Sequence, residues 1–195
     1  MKRLFDIIGS IVGLLFLFPV LILAALLVKL DSRGPVFFRQ ERIGKNFKPF
    51  QIYKFRTMVQ DAGRAGRPIT VGEDPRITRV GRFLRKTKID ELPQLMNVLK
   101  GDMSLVGPRP EVPEYVKLFQ SDYAEILNIR PGITDLASLK YRDEAAVLRD
   151  SDNPEQEYLT RILPDKLRLA KEYVQRSSLF FDLGLILQTL RKLFA

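Results

Sequence analysis

Between Ile7 and Val28 the chain carries 22 consecutive residues without a charge, and this run constrains everything else. At about 1.5 Å per residue a straight helix of that length covers roughly 33 Å, against a hydrocarbon core of about 30 Å. The segment therefore meets a membrane. It is longer than the apolar stretch of a removable signal peptide, and no clear small-residue cleavage pattern follows it. Pro19 sits near its middle, where a break leaves arms of roughly 18 and 15 Å, each too short to cross. Lys2 and Arg3 precede the run, while Lys29, Arg33, Arg39, Arg42, Lys45 and Lys48 follow it. Both flanks thus carry the cytoplasmic signature. Kink and charge symmetry together suggest a re-entrant helix-break-helix hairpin over residues 1–32. A Pro-kinked single span is the alternative, since spanning helices tolerate proline.

Composition narrows the chemistry of the remainder, residues 33–195. Lys and Arg number 32 against 23 Asp and Glu, a net charge of +9 over 195 residues. Anionic partners follow: nucleic acid, acidic lipid or phosphorylated substrates. There is no Cys and no His, which excludes disulfides, zinc-thiolate sites and every histidine-based triad or base. Nucleophilic attack falls to carboxylates, Lys, Tyr or hydroxyls, and a metal bound only by hard oxygens would be Mg or Mn.

Along the chain, Gly34-Pro35 opens a hairpin-like block in which Val36-Phe37-Phe38 and Phe50 to Phe55 read as strands around a Gly44-Lys45-Asn46 turn. Its polar face presents Gln51 and either Lys54 or Arg56. Residues 60–75, with glycines and prolines among charges, read as a loop. Asp74 to Arg85 sets Ile77, Val80, Phe83 and Leu84 on one helical face and arginines on the other, which suits acidic lipid or a diphosphate equally. Glu111 to Leu127 reads as one helix and Asn128 to Thr134 as a turn back to the core. Helices over about 155–176 and 178–194 close the chain, the second so apolar that it packs on the domain or lies in the membrane interface.

Chemistry concentrates between Lys88 and Pro110. Leu92, Leu95, Met96 and Leu99 fall at i, i+3, i+4 and i+7 and predict a helix stopped by Gly101. Pro93 is tolerated only in a first turn, so the helix begins close to Asp90, where unpaired N–H groups and the helix dipole favour an ionised carboxylate and attract phosphate. Taken alone, Asp90 and Glu91 also fit an ordinary N-cap followed by a first-turn charge.

In combination these residues resemble the bacterial sugar transferases, the monotopic phosphoglycosyl transferases that start glycan assembly on a lipid carrier. The resemblance runs through the apolar segment with Pro19, Gly34 to Gly44, Tyr53 to Met58, Arg82 to Leu99, Gly101 to Pro110 and Arg130 to Thr134. It implies an α/β, mostly helical fold: a membrane hairpin, then a small cytoplasmic domain with a short antiparallel sheet and interfacial amphipathic helices. It also implies transfer of a sugar 1-phosphate from a UDP-sugar to polyprenol (undecaprenyl) phosphate with release of UMP, at the cytoplasmic face of the bacterial inner membrane. By the same analogy Asp90 is the nucleophile, forming a covalent phosphosugar-aspartyl intermediate. Glu91 orients the site or joins Asp90 in holding Mg2+, and Arg109, held stiffly between Pro108 and Pro110, clamps phosphate. Arg85, Lys54 and Arg56 are further phosphate ligands. Three features depart from the family pattern: Phe18 where Ser often precedes the proline, Asp135 where Gly is common, and the Ser138 to Arg142 segment. The absence of an additional multi-span N-terminal region would make this the short form. The competing readings are a non-catalytic basic scaffold anchored to the membrane and a nucleic-acid-binding domain; no groove-reading motif supports the latter.

Overall fold

The computed structural model describes residues 1–60, 72, 74–149 and 151–194. The loop expected over residues 60–75 lies almost wholly outside them. Helix α1 (Lys2–Asp31) runs without interruption, with Pro19 inside it. The expected helix-break-helix is therefore one hydrogen-bonded run. Proline removes a single donor, and the ladder on either side closes around the gap. By length and hydropathy α1 is sufficient to cross a membrane.

Both ends of α1 are pinned to the same body. At the N-terminal end, Arg3 donates to the carbonyls of Val98 (2.6 Å) and Leu99 (3.0 Å), and Asp6 accepts from Ser104 Oγ (2.9 Å) and the Leu105 N–H (3.0 Å). At the C-terminal end, Ala24 and Val28 are buried against Phe55 and Leu84. Between the two, Val12, Leu15, Phe16, Phe18 and Val20 are exposed.

Strands β1 (Phe37–Ile43) and β2 (Pro49–Phe55) form the expected antiparallel hairpin, with Phe37 opposite Phe55 and Ile43 opposite Pro49. Asn46 and Phe47 take positive φ at its turn. Helix α2 (Arg79–Thr87) starts from Thr78, whose side chain accepts from the Gly81 N–H at 3.0 Å. Leu84 is its buried anchor, whereas Phe83 stays exposed. Helix α3 (Gln94–Lys100) leads into β3 (Ser104–Val106), which pairs in parallel with β4 (Gly132–Thr134). This second sheet has no counterpart in the hairpin pattern, because its strands of three residues carry no alternation to read.

The segment expected as one helix from Glu111 is two, α4 (Pro113–Leu118) and α5 (Gln120–Ile126). The chain bends at Phe119, which packs against the same core as Tyr115 and Tyr123. After β4 come two short helices, α6 (Leu136–Lys140) and α7 (Glu144–Val147). Then α8 (Pro154–Glu157), a π turn over Tyr158–Ile162 and α9 (Leu163–Arg176) form one continuous run. Helix α10 (Leu179–Phe194) matches the second C-terminal helix and packs on the domain through the buried Leu185, while Phe180, Leu187 and Leu190 stay exposed. The fold is thus α/β and mostly helical, with a short antiparallel sheet.

Candidate active site

Two junctions build the site. At the first, Lys88 ends α2 in the left-handed conformation (φ 59°, ψ 14°), an uncommon state for a residue with a β-carbon. It redirects the chain into a single 3-10 turn, Ile89–Glu91, followed by α3. Asp90 lies inside that turn rather than at a helix cap, and its carboxylate caps no N–H. The expectation of a dipole-stabilised aspartate is corrected accordingly. Only 8% exposed, Asp90 has no hydrogen-bond donor on its sealed Oδ1. Burial, and then the neighbouring Glu91 charge, push its carboxyl above the usual range, against the pull of Lys54, Lys88 and Arg85.

At the second junction the Gly107-Pro108-Arg109-Pro110 turn crosses the start of β4. The Gly132 N–H donates to the Pro108 carbonyl (3.0 Å), and the Gly107 N–H to that of Thr134 (3.0 Å). A β-carbon on Gly132 would lie 2.0 Å from the Gly107 nitrogen, so only glycine permits this crossing. The turn aims Arg109 at Glu91: Nη2 donates to Oε1 at 2.5 Å and Nη1 to Oε2 at 3.2 Å. From β2, Lys54 Nζ donates to the same Oε1 at 2.8 Å. Burial alone would raise Glu91, but Arg109 and Lys54 outweigh it and hold the carboxylate well below its usual value. The carboxylate in turn raises Arg109, whereas Lys54 is lowered by burial despite Glu91. Two adjacent carboxyls are thereby driven in opposite directions, a hallmark of paired groups with different tasks.

Of the phosphate ligands expected from sequence, Lys54 and Arg109 meet on Glu91, with Pro108 and Pro110 framing the turn. Arg85 reaches Asp90 by charge, and its Nε donates to Thr57 Oγ1 at 2.9 Å. Arg56 is not brought to them. Its guanidinium donates to the carbonyls of Val28 (3.2 Å), Ser32 (2.7 Å) and Pro35 (2.5 Å), closing the C-terminal end of α1. Alternation alone would put Arg56 on the face of Ile52 and Lys54, but the strand ends at Phe55 and the alternation does not carry past it.

Sequence reading missed the polar scaffolding. The buried face of α3 is Gln94, Leu95, Asn97 and Val98, which shares Leu95 with the predicted stripe, while Leu92, Met96 and Leu99 are half-buried. Asn97 explains the rotation. Its Oδ1 accepts from the Tyr53 N–H (3.0 Å) and its Nδ2 donates to the Gln51 carbonyl (2.7 Å), so α3 pairs with β2 through a side-chain amide. A polar residue inside an apolar period was the available signal. Asp135, noted only as a departure, accepts from the Arg109 N–H (3.1 Å) and from the Ser138 N–H (2.7 Å). Lys88 Nζ donates to the Arg142 carbonyl (3.0 Å), so the divergent segment touches both junctions. Among the described residues no group of three or more His, Cys, Asp or Glu converges. Two carboxylates suit only a cation that completes its oxygen shell with substrate phosphates and water, as magnesium commonly does.

Comparison of the sequence with known proteins matches the chain to a family. An undecaprenyl-phosphate transferase of Caulobacter vibrioides, named for transferring glucose 1-phosphate from UDP-glucose, is 41% identical over 98% of this chain and 69% of its own length. A UDP-N-acetylgalactosamine-undecaprenyl-phosphate N-acetylgalactosaminephosphotransferase of Aeromonas hydrophila is 40% identical over 97% of the chain. An undecaprenyl-phosphate glucose phosphotransferase of Komagataeibacter xylinus is 40% identical over 98%. The matches span 43% and 35% of the last two relatives' own lengths. The family description "Bacterial sugar transferase" matches residues 1–195 throughout, and the chain belongs to that family.

Proposed function

We propose that this protein transfers a sugar 1-phosphate from a UDP-sugar to undecaprenyl phosphate, or a similar polyprenol phosphate, in two displacements at phosphorus. A carboxylate oxygen of Asp90 attacks the phosphorus that bears the sugar. The bond from that phosphorus to the bridging oxygen breaks, and UMP leaves with the electron pair. A phosphate oxygen of the lipid then attacks the phosphosugar-aspartyl intermediate, forming a diphosphate and regenerating Asp90. The bond between sugar and oxygen stays intact throughout.

The observation that carries this reading is the buried Asp90, without a donor on its sealed oxygen, beside a Glu91 whose two oxygens are held by Arg109 and Lys54. Phosphoryl transfer asks for positioning and charge neutralisation more than for acid-base chemistry, and a site without histidine supplies both. Arg109, Lys54, Arg85 and Lys88 set four cationic groups against the two carboxylates, a surplus that suits a diphosphate. Asp90 and Glu91 are the residues that would hold Mg2+, which when bound neutralises phosphate charge. Relatives named for undecaprenyl-phosphate and UDP-sugar substrates support the same reading.

The reaction belongs at a bilayer, and we place the domain of residues 33–195 on the cytoplasmic face of the inner membrane. Pinning of both ends of α1 to one body, with an apolar middle exposed, supports a segment that enters and leaves by the same face. Incubation with UDP-sugar and no acceptor should add the mass of a phosphosugar to Asp90 and release one equivalent of UMP. UMP release only with acceptor present, and no adduct by intact mass, would overturn the two-step route. For topology, single cysteines at Ser32 and at the N-terminus should both resist labelling from outside intact cells; labelling of the N-terminal one alone would replace same-face entry and exit with a span.

A further inference from the structure

Strand β2 has a strand partner on one side only, because the sheet it forms with β1 is two-stranded. Its other edge is completed by a side chain. Asn97 of α3 is fully buried. Its Oδ1 accepts the Tyr53 N–H at 3.0 Å, and its Nδ2 donates to the Gln51 carbonyl at 2.7 Å and to Asp102 Oδ2 at 3.3 Å. A C=O and an N–H two residues apart are the pair that one residue of a parallel neighbour would take, so the amide stands in for a third strand. The Asn97 carbonyl accepts the Gly101 and Asp102 N–H groups, both at 3.1 Å, which braces the residue from which the side chain extends.

We propose that Asn97 is a positioning residue for the active site: by fixing β2 along α3 it holds Lys54 on Glu91. The inference rests on the reading of Lys54 and Glu91 as parts of that site. Lys54 directly follows Tyr53, and Glu91 closes the turn that leads into α3. The 2.8 Å contact of Lys54 Nζ with Glu91 Oε1 therefore spans the two elements that Asn97 joins. Ile52 also packs β2 on Val98 and Met103, but apolar contact is non-directional and lets one surface slide on the other. Directional hydrogen bonds set the register. A slide of one residue moves a strand about 3.3 Å, and a displacement of about 1 Å along the contact already stretches it past hydrogen-bond range.

The test uses the full-length protein in nanodiscs with Asn97→Asp, Asn97→Ser and Lys54→Met, and with each Asn97 change combined with Lys54→Met. Aspartate keeps the shape and the acceptor for Tyr53 but has no N–H for Gln51; serine, with its shorter arm, decides the matter if the aspartate variant does not fold. With undecaprenyl phosphate and a panel of UDP-sugars, each Asn97 change should lower kcat/KM per folded enzyme about 10- to 100-fold, the range for one hydrogen bond between charged groups, and no further than Lys54→Met does. In the Lys54→Met background the same change should cost less than about twofold, because the contact it controls is already gone. A purely structural Asn97 lowers the unfolding midpoint and reduces activity by the same factor in both backgrounds. Val98→Ala, which thins the apolar contact between the same two elements, should lower the midpoint and leave kcat/KM per folded enzyme within about threefold of wild type. The inference is overturned by kcat/KM close to wild type in the Asn97 variants or in Lys54→Met, by an equal loss in both backgrounds, or by a Val98→Ala loss as large as that of Asn97→Asp. A wild-type protein that releases no UMP from any donor overturns the proposed function instead, so the two failures are distinguishable.

Discussion

The carboxylate of Asp135 accepts the backbone N–H of Arg109 at 3.1 Å, joining the Gly107–Pro110 turn to the start of α6. Its other oxygen caps α6 at the Ser138 N–H. Asparagine offers one acceptor oxygen and keeps one of these bonds, whereas glycine keeps neither. Asp135→Gly should cost only about a few tenths of a kcal/mol through the lost cap, about 1 kcal/mol more through the lost bond to the Arg109 N–H, and lower kcat/KM by about 2- to 10-fold through a looser Arg109. Asp135→Asn should fall between. Denaturant unfolding and steady-state kinetics on the three proteins check the order.

Arg109 grips Glu91 as a planar fork. Lysine keeps the charge but cannot make two parallel contacts. Arg109→Lys should therefore reduce kcat/KM about 10- to 100-fold, the range for a lost charge-assisted contact, with the folded state retained. Wild-type kinetics in the variant would mean that the fork is incidental.

Gly132 should tolerate no side chain. A β-carbon there would meet the backbone of Gly107 at 2.0 to 2.6 Å, and neither strand can yield without unpairing β3 from β4. Gly132→Ala is expected to destabilise by at least about 3 kcal/mol. An unfolding midpoint close to wild type would refute the crossing as described.

Glu111 gives the stability a pH dependence of known sign. It accepts from Arg42 (2.8 Å), Tyr158 (2.7 Å) and the Val112 N–H (2.9 Å). Burial would raise it, but Arg42, Lys166 and these hydrogen bonds outweigh burial and lower it. A carboxyl whose folded value is depressed binds its proton more readily in the unfolded chain. Its contribution is therefore full above about pH 4.3, the unfolded value, and fades as pH falls through the folded one. Glu111→Gln should be less stable than wild type at neutral pH, and the gap should narrow on acidification. Thermal melts from pH 7 to pH 3 test this; parallel curves would contradict it.

Lys2 ties the first turn of α1 to α10, donating to the Val106 carbonyl (3.0 Å), Tyr173 OH (3.2 Å) and the buried Asp182. Lys2 is 41% exposed, which weakens the pair, but Asp182 is sealed. Lys2→Met should cost about 1–2 kcal/mol and speed hydrogen exchange at the start of α10. Unchanged exchange would show that α10 docks independently of the anchor.

What the amino-acid sequence determined alone was whatever has local causes. An uncharged run makes α1, alternating residues make the β1–β2 hairpin, and Gly101 marks the end of α3. Asp90, Glu91, Lys54 and Arg109 were legible as chemistry because a basic chain without histidine or cysteine leaves few groups to do it. The tertiary structure decided what those groups face. Asp90 is neither a cap nor dipole-stabilised, because the left-handed Lys88 opens a 3-10 turn that turns its carboxyl inward. Arg56 closes α1 rather than a site, since the strand ends one residue before it. Asn97, not the leucine stripe, sets how α3 rolls against β2. Burial and long-range hydrogen bonds impose these outcomes, and neither is a property of a residue and its neighbours in sequence.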